Sequence, residues 1–172
     1  MGMVLLKGNK VICICLLILL ECCSPKEVKN NFYNKTLGLN IKVEGKGYVY
    51  VEESAKNEGF SFKILKYEPL KGSLIPNSKF YPMPYKLRQG WGVMNWKSTP
   101  FIDTKGALDL LFKYSVGDEQ LKSQISTFKK LIESKGNYFA YYYRNEGDYI
   151  YSVEFYLLDV SNNQIYIIEV ET

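Results

Sequence analysis

Histidine is absent from the chain, and its four cysteines, Cys13, Cys15, Cys22 and Cys23, all lie in the first 23 of 172 residues. These two facts remove most neutral-pH chemistry from everything after Ser24. Histidine is the commonest general base near neutrality and the commonest metal ligand, and a Ser–His or Cys–His nucleophile requires it. Zinc sites of the usual kind draw on His and Cys. No catalytic residue, metal site or cofactor is therefore expected in the body of the chain. Two carboxylates at a set separation can still hydrolyse a glycosidic bond. Glu52 and Glu53, however, are neighbours in a strand-like run, so their side chains leave on opposite faces. Glu146 and Asp148 flank Gly147, where acids serve turn formation. Gly90-Trp91-Gly92 lacks the spacing of a phosphate loop and reads as a bend. Lys129-Lys130 belongs to a helix surface, and a net charge of +4 is ordinary for a soluble domain. No nucleic-acid partner is expected.

Aromatic residues are what this composition offers instead. The chain holds 15 Tyr, 9 Phe and 2 Trp, all beyond residue 23. Tyrosine presents a large contact area at low side-chain entropy cost and is enriched in binding surfaces. In Tyr138-Phe139-Ala140-Tyr141-Tyr142-Tyr143 both faces of one strand are aromatic, yet one face alone can lie on a core. Phe139, Tyr141 and Tyr143 are expected on the outer face as a candidate binding surface. Trp91, Trp96, Tyr81 and Tyr85 are expected to extend it.

Before that domain comes an address. Lys7 and Lys10 precede an unbroken apolar run, Val11 to Leu20, followed by Glu21-Cys22-Cys23-Ser24. Ten residues rise only ~15 Å as a helix, about half of a bilayer core. A basic start, a short apolar stretch and a polar follow-on read as an export signal. The segment resembles a bacterial lipoprotein signal, in which a cysteine after the apolar run becomes the lipid-bearing N-terminus. The resemblance covers residues 1–23 only, and Glu21 or Cys22 stands where the family has Gly, Ala or Ser. It implies Cys23, or else Cys22, as the lipidation site, a membrane attachment through that lipid, and a periplasmic location with the outer membrane favoured. Several acyl chains make such an anchor effectively permanent, at ~0.8 kcal/mol for each buried CH₂. Residues 24–34 are polar and without period, and read as a tether.

From residue 35 to 172 the pattern is strands, two helices, then strands. Ile41–Glu44, Tyr48–Glu53, Phe60–Tyr67 and Arg88–Lys97 carry apolar alternation, with Gly45 and Gly47 read as a hairpin between the first two. The proline-bearing stretch 68–87 reads as a loop. Helices are expected over 104–115 and 118–135. In the second, Leu121, Ile125, Phe128 and Ile132 form one stripe, with acids in the first turn and Gly136 after the last. Asn162-Asn163, read as a two-residue turn, sets Phe155 opposite Val170 and Leu157 opposite Ile168. A loop at Glu146-Gly147 turns Tyr138, Ala140 and Tyr142 toward the same face, and a bulge there shifts that register by one. The expected class is α+β: one domain, an antiparallel sheet of six to seven strands, and two helices on one face.

Two classes of function fit. The first is a lipid-anchored envelope protein acting by non-enzymatic binding of a periplasmic protein, as inhibitor, immunity-type protein or assembly accessory. The second is a module binding a small ligand or glycan on an aromatic platform, or a hydrolase built on acids.

Overall fold

The computed structural model describes residues 33–34, 37–53, 59–75, 90–104, 106–113 and 118–172. They form six strands and two helices in the order β1 (Ile41–Glu53), β2 (Gly59–Pro69), β3 (Gly92–Ser98), α1 (Ala107–Lys113), α2 (Glu119–Glu133), β4 (Tyr138–Glu146), β5 (Tyr149–Asp159) and β6 (Gln164–Glu171). The strands make one open sheet in the order β1-β2-β6-β5-β4-β3, antiparallel throughout. The class is α+β.

The two strands expected before residue 54 are one. Gly45 and Gly47 do not reverse the chain; each lies at a register shift where β1 carries one residue more than β2. Such bulges bend a strand without ending it. Among the described residues this leaves six strands. The helices match their sequence signals with shorter ends: Asp118 caps α2, its carboxylate accepting from the Leu121 N–H at 2.7 Å. The stripe Leu121, Ile125, Phe128 and Ile132 is buried. Phe128 lies edge-on to Phe62 and Phe155.

The sheet has a core on each face. One cluster joins Phe62, Phe139, Tyr141, Phe155, Leu157 and Ile168 to Ala107 and Leu111 of α1 and to the α2 stripe. The other gathers Tyr67, Trp96, Tyr142, Tyr156, Ile165 and Ile167 under Leu37 and Leu39, with Tyr33, Leu74 and Ile75 at its margin. Tyr33 and Asn34, read from sequence as the end of the tether, are held to the domain. Tyr33 O accepts from the Leu37 and Leu39 N–H groups, and Asn34 Oδ1 accepts from the Ile41 N–H.

Two turns decide which residues face which core. Between β5 and β6 the loop is Val160–Asn163, so Phe155 pairs with Ile168 and Asp159 with Gln164. This moves the expected register by two and leaves both faces as read. Between β4 and β5 the shift is odd. Glu146 pairs with Tyr149 and Asn145 with Ile150, but Arg144 pairs with Ser152, so Tyr151 is an extra residue in β5. Beyond that bulge Tyr143, Tyr141 and Phe139 stand opposite Val153, Phe155 and Leu157. A one-residue slip moves every side chain to the other face. The helix-side residues of β4 are therefore Phe139 and Tyr141, and Ala140 and Tyr142 belong to the opposite core.

One residue ties the helix layer to one end of the sheet. Asn137 Nδ2 donates to Leu131 O at 3.0 Å and its Oδ1 accepts from the Val160 N–H at 3.4 Å. Its main chain exchanges hydrogen bonds with Thr99, whose N–H donates to Asn137 O at 3.0 Å. The end of α2, the start of β4, the end of β3 and the β5–β6 turn thus meet at one buried amide.

Candidate functional site

The expected aromatic surface does not assemble. Phe139 and Tyr141 are 3% and 2% exposed; Phe101, from the segment before α1, packs on both and on Phe155. Their burial corrects the outward orientation expected from sequence, and its cause is the Tyr151 bulge. Tyr143 shares their face but is half-buried. Trp96 is buried in the opposite core, where its indole N–H donates to Leu37 O at 2.7 Å. Trp91 is half-buried with the Arg144 guanidinium 4.8 Å above its ring. Tyr81, Tyr85, Cys22 and Cys23 lie outside the described residues.

Exposure concentrates elsewhere. Tyr149 and Ile102 are 81% and 79% exposed, more than any other large apolar side chain among the described residues. Tyr149 opens β5, directly after the Gly147-Asp148 turn. Ile102 stands two residues before Thr104. A groove of about 510 Å³ runs beside Tyr149, bounded by Thr104, Asp109, Leu110 and Lys113 on the α1 side and by Asp148 and Tyr149 on the turn side. A second hollow of about 260 Å³ shares Thr104, Asp148 and Ile150 and reaches Tyr143. Tyr143 is thus the one residue of the expected Phe139–Tyr143 set that lines a surface depression with Tyr149's neighbours.

Local structure fixes both walls. Asp103 Oδ2 accepts from the Leu108 N–H at 2.6 Å and so caps α1; Ala107 and Leu111 face the core, which leaves Asp109 and Lys113 exposed. In the turn, Gly147 has φ of 58°, the left-handed region that glycine enters without steric cost. Asn145 Nδ2 donates to Gly147 O at 2.8 Å and braces it. The groove presents an aromatic face, two carboxylates, an ammonium and a hydroxyl. That set can stack, accept and donate hydrogen bonds, and form ion pairs.

β5 and β6 set two carboxylates side by side. Glu154 pairs with Glu169. Glu169 accepts from Ser61 Oγ at 2.5 Å and from Lys63 Nζ at 2.7 Å, and Glu154 accepts from the Tyr156 hydroxyl. Burial, followed by the charges of Glu169 and Glu154, pushes the Tyr33 hydroxyl up to about 12. Both carboxylates are spent on neighbours.

Among the described residues no three of His, Cys, Asp and Glu stand close enough to hold a metal ion, and no helix is long and apolar enough to cross a membrane. No protein-family model matches the chain, and searches of curated proteins and of solved structures return no match.

Proposed function

We propose that the chain is a lipid-anchored protein of the bacterial envelope that binds a periplasmic protein at the groove between α1 and the β4–β5 turn. The proposal includes the cysteine anchor at Cys23 or Cys22, the tether after it, and α1 and α2 as the cover of one sheet face. It assigns no catalytic residue, cofactor or nucleic acid. The observation that carries it is the exposure of Tyr149 on the wall of the groove. A large aromatic left in water on a braced turn resembles the anchors that dominate protein interfaces. Its neighbours Asp109, Asp148 and Lys113 supply a polar rim.

The test is in-membrane cross-linking of the full chain, followed by recovery of wild type and of Tyr149→Ala from the same envelope preparation. The reading expects one stoichiometric protein with wild type, and binding weakened by about 2 kcal/mol, roughly 30-fold, on loss of the aromatic anchor. Equal recovery by both would reject the groove.

Tyr149 between two carboxylates also suits a sugar ring, which stacks on aromatic faces and donates hydroxyls to acids. Saturable binding of a peptidoglycan fragment, lost in Tyr149→Ala, would favour that second reading.

A further inference from the structure

Among the described residues the sheet ends on one side at β1, whose outward edge has no strand beside it. Edge strands are ordinarily guarded by bulges, lysines, prolines or shortness. In β1 those guards occupy the first half: both bulges fall between Val43 and Tyr48, and Lys42 and Lys46 flank them. The second half, Tyr48-Val49-Tyr50-Val51-Glu52, pairs with β2 residue for residue and holds no Lys, Pro or bulge. Val49 and Val51 are 41% and 53% exposed there.

The hydrogen-bond alternation shows which backbone groups are free. Tyr67 N–H donates to Asn163 O, on the β6 side of β2. Pairing between β2 and β6 runs without a shift, so Leu65, Lys63 and Ser61 also direct their amides to β6, and Ile64, Phe62 and Phe60 direct theirs to β1. Their partners Tyr48, Tyr50 and Glu52 are consumed by β2. The N–H and C=O groups of Val49 and Val51 therefore point out of the sheet, at the same positions whose side chains are exposed.

We infer that this half of β1 is an interface between two copies of the chain, paired antiparallel about Tyr50. The register follows from the free groups. Setting Val49 and Val51 against Val51 and Val49 of the second copy lets both valines exchange hydrogen bonds within this stretch, and it places Tyr50 opposite Tyr50 and Tyr48 opposite Glu52. No like charges oppose one another in that stretch, and the contact is self-complementary, as a two-fold interface requires. Its two-fold axis stands perpendicular to the sheet, so the same face of both copies looks the same way. Tyr33, the first described residue, packs on the face opposite the helices. Tyr33 of both copies consequently lies on one face of the joined sheet, as two chains anchored in one membrane need. Only this last step rests on the lipid-anchor reading.

The experiment is oxidative cross-linking of the full chain in isolated membranes, comparing Tyr50→Cys, Lys66→Cys and wild type. Lys66 is exposed on β2, an inner strand, and reports chance collision. Cβ atoms of directly opposed residues lie about 4.5–5.5 Å apart, close to what a disulfide spans. The expected result is a reducible dimer for Tyr50→Cys, at least ten-fold above Lys66→Cys. Equal cross-linking of the two overturns the interface. Should Tyr50→Cys not fold, Val51→Lys serves: detergent-extracted wild type should sediment as a dimer and Val51→Lys as a monomer with the same melting temperature. A monomeric wild type overturns the interface. Fatty-acid labelling of the same samples separates the two readings. Cross-linked but unlabelled protein keeps the interface and rejects the anchor; labelled protein without the cross-link does the reverse.

Discussion

Tyr141 and Phe155 stack across β4 and β5 with ring centroids 5.3 Å apart and planes within 8° of parallel. The contact joins two residues that uninterrupted strand alternation from the Gly147 turn places on opposite faces. It exists because Tyr151 is an extra residue in β5. Tyr141→Ala and Phe155→Ala should therefore destabilise alike, by about 3–5 kcal/mol each. The double variant should lose less than their sum, since one contact is counted in both. Denaturant midpoints at unchanged slope give all three values. A loss of only about 1 kcal/mol for Tyr141→Ala, the size of an exposed cross-strand contact, would contradict the register.

The pairing of β3 with β4 is tested through a glycine. A Cβ added at Gly92 would lie 2.4 Å from Tyr143 Cζ, so the ring rests on bare backbone. Gly92→Ala is expected to cost about 1–3 kcal/mol, as overpacking does. The same change made in a Tyr143→Ala background should cost a few tenths at most, because the clash is gone. Equal costs in both backgrounds would show that the ring lies elsewhere.

Asn137 is 4% exposed and joins α2, β3 and the β5–β6 turn. Asn137→Ala removes the side-chain bonds to Leu131 O, Ser134 Oγ and the Val160 N–H, although Leu131 O keeps the Ser134 hydroxyl. A net hydrogen bond is worth about 0.5–1.5 kcal/mol, so a loss of about 1–3 kcal/mol is expected. Hydrogen exchange should quicken at Val160 and in the last turn of α2 before it quickens in β5.

Alkaline pH should weaken the fold through three tyrosines. Burial, then nearby carboxylates, pushes Tyr33 and Tyr67 up to about 12; for Tyr141 burial, Asp103 and Tyr143 do so. A raised pKa means that the folded chain keeps its proton where the unfolded chain has lost it. The contribution is complete below pH about 10 and disappears as pH rises through about 12. Tyr67 adds a finer test, since its buried hydroxyl has no hydrogen-bond partner among the described residues. Tyr67→Phe should be neutral or stabilising at pH 7 and should shallow the alkaline decline. Destabilisation of Tyr67→Phe at pH 7 would reveal a bond to that hydroxyl.

Much of the fold was legible because its signals are local. The four-three-four stripe of α2, its Asp118 cap and the apolar alternation of β2 and β6 each arise within one segment. The outer core was not legible. Leu37, Leu39, Leu74 and Ile75 come from segments without period, and nothing in them announces that they cover a sheet. Nor does a tyrosine in mid-strand announce the bulge at Tyr151, and that one residue decided which aromatics of β4 are buried. The candidate site was read in part. Tyr143 was among the expected residues, whereas Asp148 was read as turn chemistry, and Tyr149 carries no sequence signal and is set apart only by its exposure.

The central claim is that the domain works while tethered to a membrane by lipid on Cys23 or Cys22. Metabolic labelling with a fatty-acid analogue, followed by membrane fractionation, tests it most directly. The account predicts label and membrane attachment for wild type, and neither for the double variant Cys22→Ala, Cys23→Ala. A double variant that is still labelled and still sediments with membranes would contradict it.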